Sequence, residues 1–600
     1  GTSSTVADTT TPTTTGPPTA ADIVVTRLAG LPFDEFADRS FEELLLRSPQ
    51  FVTELGINDR LGSDRAALDD LSDGFVADTM EIESAVLDLL HGFDRASLDP
   101  NAGLTYDVYE WYLDDLVRGH PFVHHDYPLH HSLGSYHWNT FFYFTDTFPL
   151  ATVEDAEDFV TAVGQVGRQA VQVLDGLEIR EAMGIYPPDF IVEMVREAMK
   201  GQLGMRTLVV DDVDPTANEI YRRFEEDTAG LGLDSGRRDG LLDDLKTAIS
   251  ESVAPAWIDL ITYLDHLRGI AGSDAGVWKL PDGEAYYAYL LHRETSTDLT
   301  AAEIHALGLA EVDRVRGELR DVFEGLGYGA DISLSDALTR VVVEGGVVDT
   351  RVEGPEAVID AYQGYLARIE PALDAVFDLQ PAAPLAIEAD RSFGGGGGFY
   401  SPGSLDGTRP GAFYAGSAPG AVARYQMATI LHHEGVPGHH FQIALAQELG
   451  LPLMRSVVNF NGYVEGWAVY AEYLAEEMGV YDDDPYGDVG RLYLELLRAV
   501  RLVADTGIHS VRWTRQEAGD YMIRAMEGWT HEVDRYIVMP AQATGYKVGM
   551  LEILRLRGIA EREMGDAFDL AGFHDVVIGH GSLPLEILGR LVDEWIAGGS

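Results

Sequence analysis

The sequence predicts a mainly α-helical protein with one small β region directly before a histidine-rich helix. Apolar residues recur at intervals of three and four from Asp34 to about Val117, and the same spacing returns in later segments, as in amphipathic helices. One later segment begins with Thr300 three residues before Glu303, the spacing of a helix capping box. Strand-like sequence is concentrated in 394–415, where a glycine-rich stretch leads into an aromatic one, and the helical pattern then continues nearly to the end.

The composition indicates a large enzyme-like body. The chain has 600 residues, of which 46% are hydrophobic, enough for a large core in one body or in two lobes around a cleft. Its 99 acidic and 42 basic side chains give a net charge of −57, which repels nucleic acids and anionic membrane surfaces. There is no cysteine, so a metal ion must be held by histidine, aspartate or glutamate. No apolar run reaches the roughly 18 residues of a membrane span.

The first 22 residues differ from the rest of the chain. They are rich in Thr, Pro and Ser and lack apolar periodicity, which predicts a disordered linker over 1–22. Segments of this kind tether exported proteins, so we expect an extracytoplasmic protein, secreted or held by a lipid anchor. The alternative is a frayed end that carries a remnant of cloning. Residues 23–600 are expected to form the helical body, with the catalytic part at about 385–600.

The segment ATILHHEGVPGHHFQIA, over 428–444, contains four histidines and one glutamate around a helix-breaking Gly-Val-Pro-Gly. In many zinc peptidases, two histidines four residues apart on one helix bind the same ion, and the glutamate after the first acts as general base. Here His433 and Glu434 are followed by Pro437 at that fourth place, and His439 comes two residues later. On a straight helix, ligands six or seven residues apart are too far apart along the axis to share one ion.

The helix break predicts how these ligands meet. Pro437 cannot donate to the carbonyl four residues earlier, and Gly435 and Gly438 supply backbone freedom. If two residues loop out, His439 takes the place of the usual second histidine. The alternative is a helix that ends at Val436, a second helix that begins near Gly438, and histidines that lie on the surface.

The motif HHEGVPGHHFQ resembles the hallmark of a bacterial family called domain of unknown function 885, which is His-Glu-Gly-x-Pro-Gly-His-His. Further segments that resemble the family are FNGYVEGWAVYAEYLAEEMG, LRAVRLVADTGIHSVRWTRQEAGDYM, RYIVMPAQATGYKVGMLEILRLR and FHDVVIGHGSLPLEILGRLV. The resemblance runs from about residue 30 to the C-terminus. It implies a mostly helical fold with a deep central cleft, like that of gluzincin peptidases such as thimet oligopeptidase and carboxypeptidase Taq, and a bound zinc ion.

A third metal ligand is expected from the segment YVEGWAVYAEYLAEE. Glu465 and Glu472 are seven residues apart on one helix face, and we predict that Glu465 completes a zinc site with His433 and His439, one ion per chain. Glu472 is then expected to orient a ligand histidine, with a solvated helix face as the alternative. The residues expected to contact the metal ligands without binding the ion themselves are His432, His440, Glu472 and Asp505.

Catalysis also needs donors for the oxyanion and groups that hold the substrate. Asp505 and His509 are four residues apart on a predicted helix, so the carboxylate is expected to fix the imidazole. Tyr536 and Tyr546 are hydroxyl candidates, with buried structural tyrosines as the alternative. The segment RPGAFYA is expected to be an exposed strand edge that pairs with an extended peptide. For the basic residues, structural ion pairing is the alternative. The predicted substrate-binding residues are Arg409, Gly411, Phe413, Tyr414, Arg498, Arg501 and Lys547.

Together these residues predict a zinc-dependent metallopeptidase that hydrolyses short peptides, with Glu434 as general base. Basic residues near the metal favour carboxypeptidase-like trimming. Two alternatives stay open: a zinc hydrolase of a non-peptide amide or ester, and a non-catalytic extracytoplasmic binding protein with the same fold. A histidine-rich run, His120–Trp138, matches no metal-binding spacing and is expected to line a cleft or the surface.

Overall fold

The computed structural model describes residues 17–204, 209, 213–329, 331–390 and 397–598, and it is mainly helical with a small β region, which confirms the predicted fold class. Most of the predicted linker, 1–16, lies outside the described residues. Its last residues, 20–22, belong to the first helix, which begins with a capping box between Thr19 and Asp22. In the described ranges, no helix is long and apolar enough to cross a membrane.

Six helices at the amino-terminal end share one large apolar core with helices from the end of the chain. They are α1 (Ala20–Leu28), α2 (Phe33–Leu45), α3 (Pro49–Glu54), α4 (Asn58–Leu61), α5 (Asp73–Leu90) and α6 (Pro100–Gly119). Phe41 of α2 packs edge-on against Tyr109 of α6, and both rings are buried. Asp99 caps α6 by accepting from the backbone N–H groups of Asn101 and Ala102.

The next six helices surround a separate core. They are α7 (Tyr136–Phe142), α8 (Val153–Ala182), α9 (Asp189–Gln202), α10 (Glu219–Thr228), α11 (Ser235–Ala248) and α12 (Ala254–Leu267). Two π-helical turns, Tyr143–Thr147 and Ile249–Val253, follow α7 and precede α12. The ring of Phe142 lies 5.8 Å from that of Phe399, so this group of helices contacts the β region.

Five helices and five short strands occupy the middle of the chain. The helices are α13 (Gly283–Thr295), α14 (Ala301–Gly325), α15 (Leu334–Gly345), α16 (Thr350–Glu353) and α17 (Glu356–Leu373). The strands are β1 (Val347–Asp349), β2 (Ala386–Asp390), β3 (Gly398–Ser401), β4 (Ala412–Gly416) and β5 (Ala421–Ala423). β1 pairs with β5, and β4 is the middle strand of a second sheet, parallel to β2 and antiparallel to β3.

The middle position of β4 corrects the expectation that the segment RPGAFYA is an exposed edge. Phe413 is fully buried and packs edge-on against Tyr362 at 4.9 Å, so it belongs to the core. Gly411 lies so close to Tyr400 that a Cβ there would be 2.2 Å from the tyrosine hydroxyl. Tyr414 is only half-buried, but its backbone pairs with both neighbours. The expectation was wrong because β2 and β3 pair with the two sides of β4, so neither edge of its backbone is free to pair with a peptide.

The carboxy-terminal helices enclose one long central helix. They are α18 (Arg424–Glu434), α19 (His439–Glu448), α20 (Leu453–Val457), α21 (Asn461–Glu477), α22 (Pro485–His509), α23 (Arg515–Met526), α24 (Glu532–Val538), α25 (Gln542–Met564), α26 (Leu570–Ile578) and α27 (Leu585–Gly598). Every residue of α22 from Val489 onwards is buried, including several charged ones. A helix buried on all sides must find partners for its charges inside the protein.

Glu495 of α22 illustrates this pairing. Its Oε1 lies 2.6 Å from Nζ of Lys547, which is fully buried and also 3.0 Å from Glu311, and Arg314 binds the same oxygen of Glu495. Lys547 is therefore a structural ion-pair partner rather than the predicted substrate-binding residue. Burial raises the pKa of Glu495, but Lys547 and Arg314 lower it by more, to about 2 from an ordinary value of 4.5.

The variant Glu495→Gln is expected to destabilise the protein by about 3–5 kcal/mol, because it leaves a buried ammonium and a guanidinium without their shared carboxylate. A depressed folded-state pKa contributes stability that is present above pH 4.5 and lost as the pH falls towards about 2. The midpoint of thermal unfolding should therefore fall less steeply below pH 4.5 in the variant than in the parent. Glu563→Gln, at an exposed position of α25, is the control, and an equal change in both variants would contradict the assignment.

Candidate metal centre

The histidine motif folds as two helices joined by a tight turn. α18 ends at Glu434 and α19 begins at His439, so the chain breaks as in the two-helix alternative, yet both ligand candidates are buried. The turn brings the second helix against the carbonyls of the first: a Cβ on Gly438 would lie 2.0 Å from the carbonyl oxygen of His433. The Val436–Pro437 bond is cis, and the carbonyl of Pro437 accepts from the indole N–H of Trp467 at 2.9 Å. Because a Cβ at position 438 would overlap the carbonyl oxygen of His433, the turn requires glycine there.

Three side chains converge at this turn. Oε2 of Glu465 lies 3.3 Å from Nε2 of His433 and 3.4 Å from Nε2 of His439. Metal–ligand bonds of about 2.0–2.1 Å in a tetrahedral arrangement separate neighbouring ligand atoms by about 3.3–3.4 Å. Nδ1 of His439 and Oε2 of Glu465 are buried without a hydrogen-bond partner. Two imidazoles and one carboxylate with this spacing fit a zinc ion, and among the described residues they form the one such group.

Glu472 contacts the ring nitrogen of His433 that does not face Glu465. Its Oε1 lies 2.8 Å from Nδ1 of His433, and Arg498 donates to the same oxygen at 2.8 Å. Glu472 is 1% exposed, so this carboxylate is oriented by two partners in a dry environment. Burial lowers the pKa of His433, but Glu465 and Glu472 raise it by more, to about 9. A metal ion that binds here must displace that proton.

Glu434 lies beside the three converging side chains and against strand β3. Its Oε2 accepts from the backbone N–H of Tyr400 at 2.9 Å. Burial raises the pKa of this carboxyl, while His433 and His439 oppose the shift. A buried carboxylate with a raised pKa beside a candidate metal centre is a candidate general base.

Glycines set the distance between the helices that carry the remaining groups. A Cβ on Gly466 of α21 would lie 2.5 Å from the backbone of Gly549 of α25, and one on Gly549 would lie 1.8 Å from the carbonyl oxygen of Gly462. This close crossing brings Tyr546 of α25 beside His433, with parallel rings whose centroids are 6.1 Å apart.

Tyr546 and Tyr536 have different surroundings. The hydroxyl of Tyr546 accepts from Nη2 of Arg535 at 3.2 Å, and the Arg501 guanidinium lies over its ring at 4.7 Å. Tyr536 is fully buried and donates to Glu532 at 3.4 Å, so it follows the structural alternative rather than the predicted catalytic role. Arg535 was missed in the sequence because α24 ends between it and Tyr546, and no helical spacing connects them.

The predicted pair of Asp505 and His509 was wrong. Asp505 accepts from the hydroxyl of Tyr287 at 2.5 Å and from a backbone N–H of the turn before α25. Nδ1 of His509 accepts from the backbone N–H of Val277 at 3.1 Å, and Nε2 lies 2.9 Å from the carbonyl oxygen of Tyr536. Burial lowers the pKa of His509 to about 4, so the ring is neutral and held by backbone groups. The two residues share a helix face, but each contacts different neighbours.

The other predicted basic residues also have structural partners. Arg498 binds Glu472, and Arg501 lies 2.8 Å from Glu532. The Arg409 guanidinium donates to a serine hydroxyl of β3 and to two backbone carbonyls. These contacts fit the structural ion-pairing alternative, because a guanidinium inside an acidic protein is stabilised by the nearest carboxylate or carbonyl. Substrate binding by these residues stays a prediction.

The remaining histidines of the motif support its backbone. Nδ1 of His432 lies 3.1 Å from the carbonyl oxygen of Val436, and burial lowers its pKa to about 4. His440 lies 3.1 Å from the hydroxyl of Tyr400 and 3.0 Å from the carbonyl oxygen of Ala383, so it positions the strand that holds Glu434. Histidines of the run over 120–138 are likewise engaged, for example with Glu83 and Gln202.

The fold and the site define a mainly helical protein with a candidate His/His/Glu metal centre. The chain belongs to the family described as bacterial protein of unknown function (DUF885), whose profile matches residues 49–592, and the predicted family is thereby confirmed. It is similar to a candidate lipoprotein from Colwellia psychrerythraea, with 25% identity and a TM-score of 0.86 over 97% of this chain and 100% of the other. A candidate lipoprotein of unknown function from Shewanella oneidensis shares the fold, with 18% identity and a TM-score of 0.67 over 94% of this chain and 100% of the other. No curated protein matches the chain.

Gly438→Ala is expected to destabilise the protein by at least about 3 kcal/mol, the upper end for an overpacked core, because the new methyl group meets two backbone carbonyls. Gly589→Ala in α27 is the control, since its Cβ would make only an ordinary contact of 3.7 Å. Thermal unfolding of both variants measures the difference. An unchanged midpoint for Gly438→Ala would show that the turn does not have this geometry.

Proposed function

We propose that this protein is a zinc-dependent hydrolase of peptide bonds in short peptides. The observation that carries the proposal is the spacing of the three ligand atoms of His433, His439 and Glu465, which fits one ion, with Glu434 beside them. When bound, zinc supplies Lewis acidity that polarises a carbonyl group and acidifies water. The gluzincin-like cleft implied by the motif is part of the same proposal.

Glu434 is the general base of this proposal. It is held by the backbone N–H of Tyr400, so its second oxygen is left to accept a proton from the attacking water and to deliver it to the leaving amine. Glu472 keeps His433 oriented because it contacts Nδ1, on the other side of the ring from Nε2. Arg498 in turn holds Glu472 in place.

Tyr546 and Arg535 supply the positive side of the site. The tyrosine hydroxyl, fixed by Arg535, is the proposed donor to the oxyanion. Arg501 and Arg535 share the single carboxylate of Glu532, at 2.8 Å and 3.8 Å, so one positive charge is left over. This surplus favours a substrate carboxylate near the scissile bond and therefore carboxypeptidase-like trimming.

We also propose an extracytoplasmic location. The relative from Colwellia psychrerythraea is a candidate lipoprotein, and the Thr/Pro-rich composition of residues 1–22 suits a tether to a lipid anchor.

Metal content is the first test. Protein dialysed against zinc and then against buffer is expected to retain about one zinc per chain by elemental analysis, because the three ligands are prearranged. Glu465→Gln should lose that zinc while remaining folded, and Glu476→Gln, at an exposed position of the same helix, should retain it. Equal zinc content in both variants, or no zinc in the parent, would contradict the proposed metal site.

Hydrolysis of a defined mixture of short peptides is the second test. Glu434→Gln should keep the zinc and lose about 10²–10⁴-fold in rate, the usual contribution of general base catalysis. Cleavage of ester substrates alone would favour the non-peptide hydrolase. Zinc binding without any hydrolysis would contradict the proposal and leave a binding protein.

A further inference from the structure

We propose that Glu294 binds an ammonium group of the substrate, so that the site selects short peptides that carry a free amine. This inference rests on the proposed peptide hydrolysis and names its substrate class. It is carried by the position of α13, whose last turn packs against the helices of the candidate centre, and by the absence of an ion pair to the Glu294 carboxylate among the described residues.

Glu294 lies where α13 meets the two helices that carry Glu465 and Tyr546. Its backbone carbonyl accepts from Nδ2 of Asn461 at 3.4 Å, and Asn461 precedes Glu465 by one turn of α21. A Cβ on Gly545, the residue before Tyr546, would lie 2.8 Å from the same carbonyl oxygen. The last turn of α13 is therefore packed directly against the helix ends that form the centre.

The charge around Glu294 is uncompensated. Within the described ranges, no residue forms a hydrogen bond or ion pair with its carboxylate. The adjacent Arg293 binds the hydroxyl of Tyr289 at 3.0 Å and lies 3.7 Å from Asp115. Asp115 is 5% exposed, and its Oδ1 has no hydrogen-bond partner. Arg293 thus forms an ion pair with Asp115 and none with Glu294.

Electrostatics support the need for a cation. Burial raises the pKa of Glu294 to about 7, and Asp115 and Glu465 add to the shift while Arg293 opposes it. A carboxylate in such a place is stabilised by a bound cation, and an ammonium group offers three hydrogen-bond donors. Among the described residues, no cation of α22 or α25 forms an ion pair with Glu294, so a substrate ammonium group can take that place.

A cavity of about 470 Å³ lies along α13, where Tyr287, Leu291 and His292 line it together with Arg118 of α6. Glu294 does not line this cavity; it follows Leu291 by one turn of the same helix. Arg535 carries the surplus positive charge of the proposed site. An unpaired carboxylate and a surplus cation near one centre suit a short peptide that has a free amine and a free carboxylate.

Binding to the zinc-loaded Glu434→Gln protein tests the inference without hydrolysis. Calorimetry should show that the tripeptide Ala-Phe-Ala binds at least about ten-fold more tightly than its N-acetylated form. N-acetyl-Ala-Lys-Ala shows whether a lysine side chain can replace the terminal amine. Adding Glu294→Gln should abolish the preference for an amine, and Glu294→Asp should restore part of it, because the charge returns. Glu324→Gln, at an exposed position of α14, is the control and should keep the preference.

The outcomes separate this inference from the proposed function. Equal affinity for the free and acetylated peptides, or no binding of either, would overturn the role of Glu294. Hydrolysis by the parent without any dependence on an amine would keep the peptidase and remove this inference. Amine-dependent binding that Glu294→Gln abolishes, without hydrolysis by the parent, would keep the inference and remove the peptidase.

Discussion

The contact on which the site depends is the single oxygen of Glu472 that touches both His433 and Arg498. A carboxylate that is 1% exposed is costly to bury unless charged partners surround it. The guanidinium from α22 supplies that compensation, and the imidazole is held in one orientation as a result. Because the three groups come from α18, α21 and α22, the ion pair also fixes the relative position of these helices.

Glycine contacts set the remaining geometry. Gly438 allows α19 to begin against the carbonyls at the end of α18, which closes a six-residue spacing into one centre. Gly466 and Gly549 let α21 and α25 cross with their backbones in contact, which places Tyr546 beside His433. Glycine packing and buried charge pairing together fix the relative positions of the helices that carry the candidate centre.

Much of the fold and part of the site could be predicted from the sequence. Helical periodicity acts over a few residues, so the helical class and the capping box at Thr300 followed from local pattern. The candidate ligands His433 and His439 lie within one short motif, where backbone rules for proline and glycine apply. The third candidate, Glu465, lies on a separate helix, and the family resemblance of its segment supplied the signal.

The sequence by itself determined the residue types that can form the centre and the helices that carry them. Only the tertiary structure decided the partners of the charged and polar residues: Lys547 pairs with Glu495 across 52 residues, and His509 binds a backbone group 232 residues away. Burial is the physical reason. A buried charge or imidazole takes whichever partner the packing brings within about 3 Å, and that neighbour leaves no trace in local spacing.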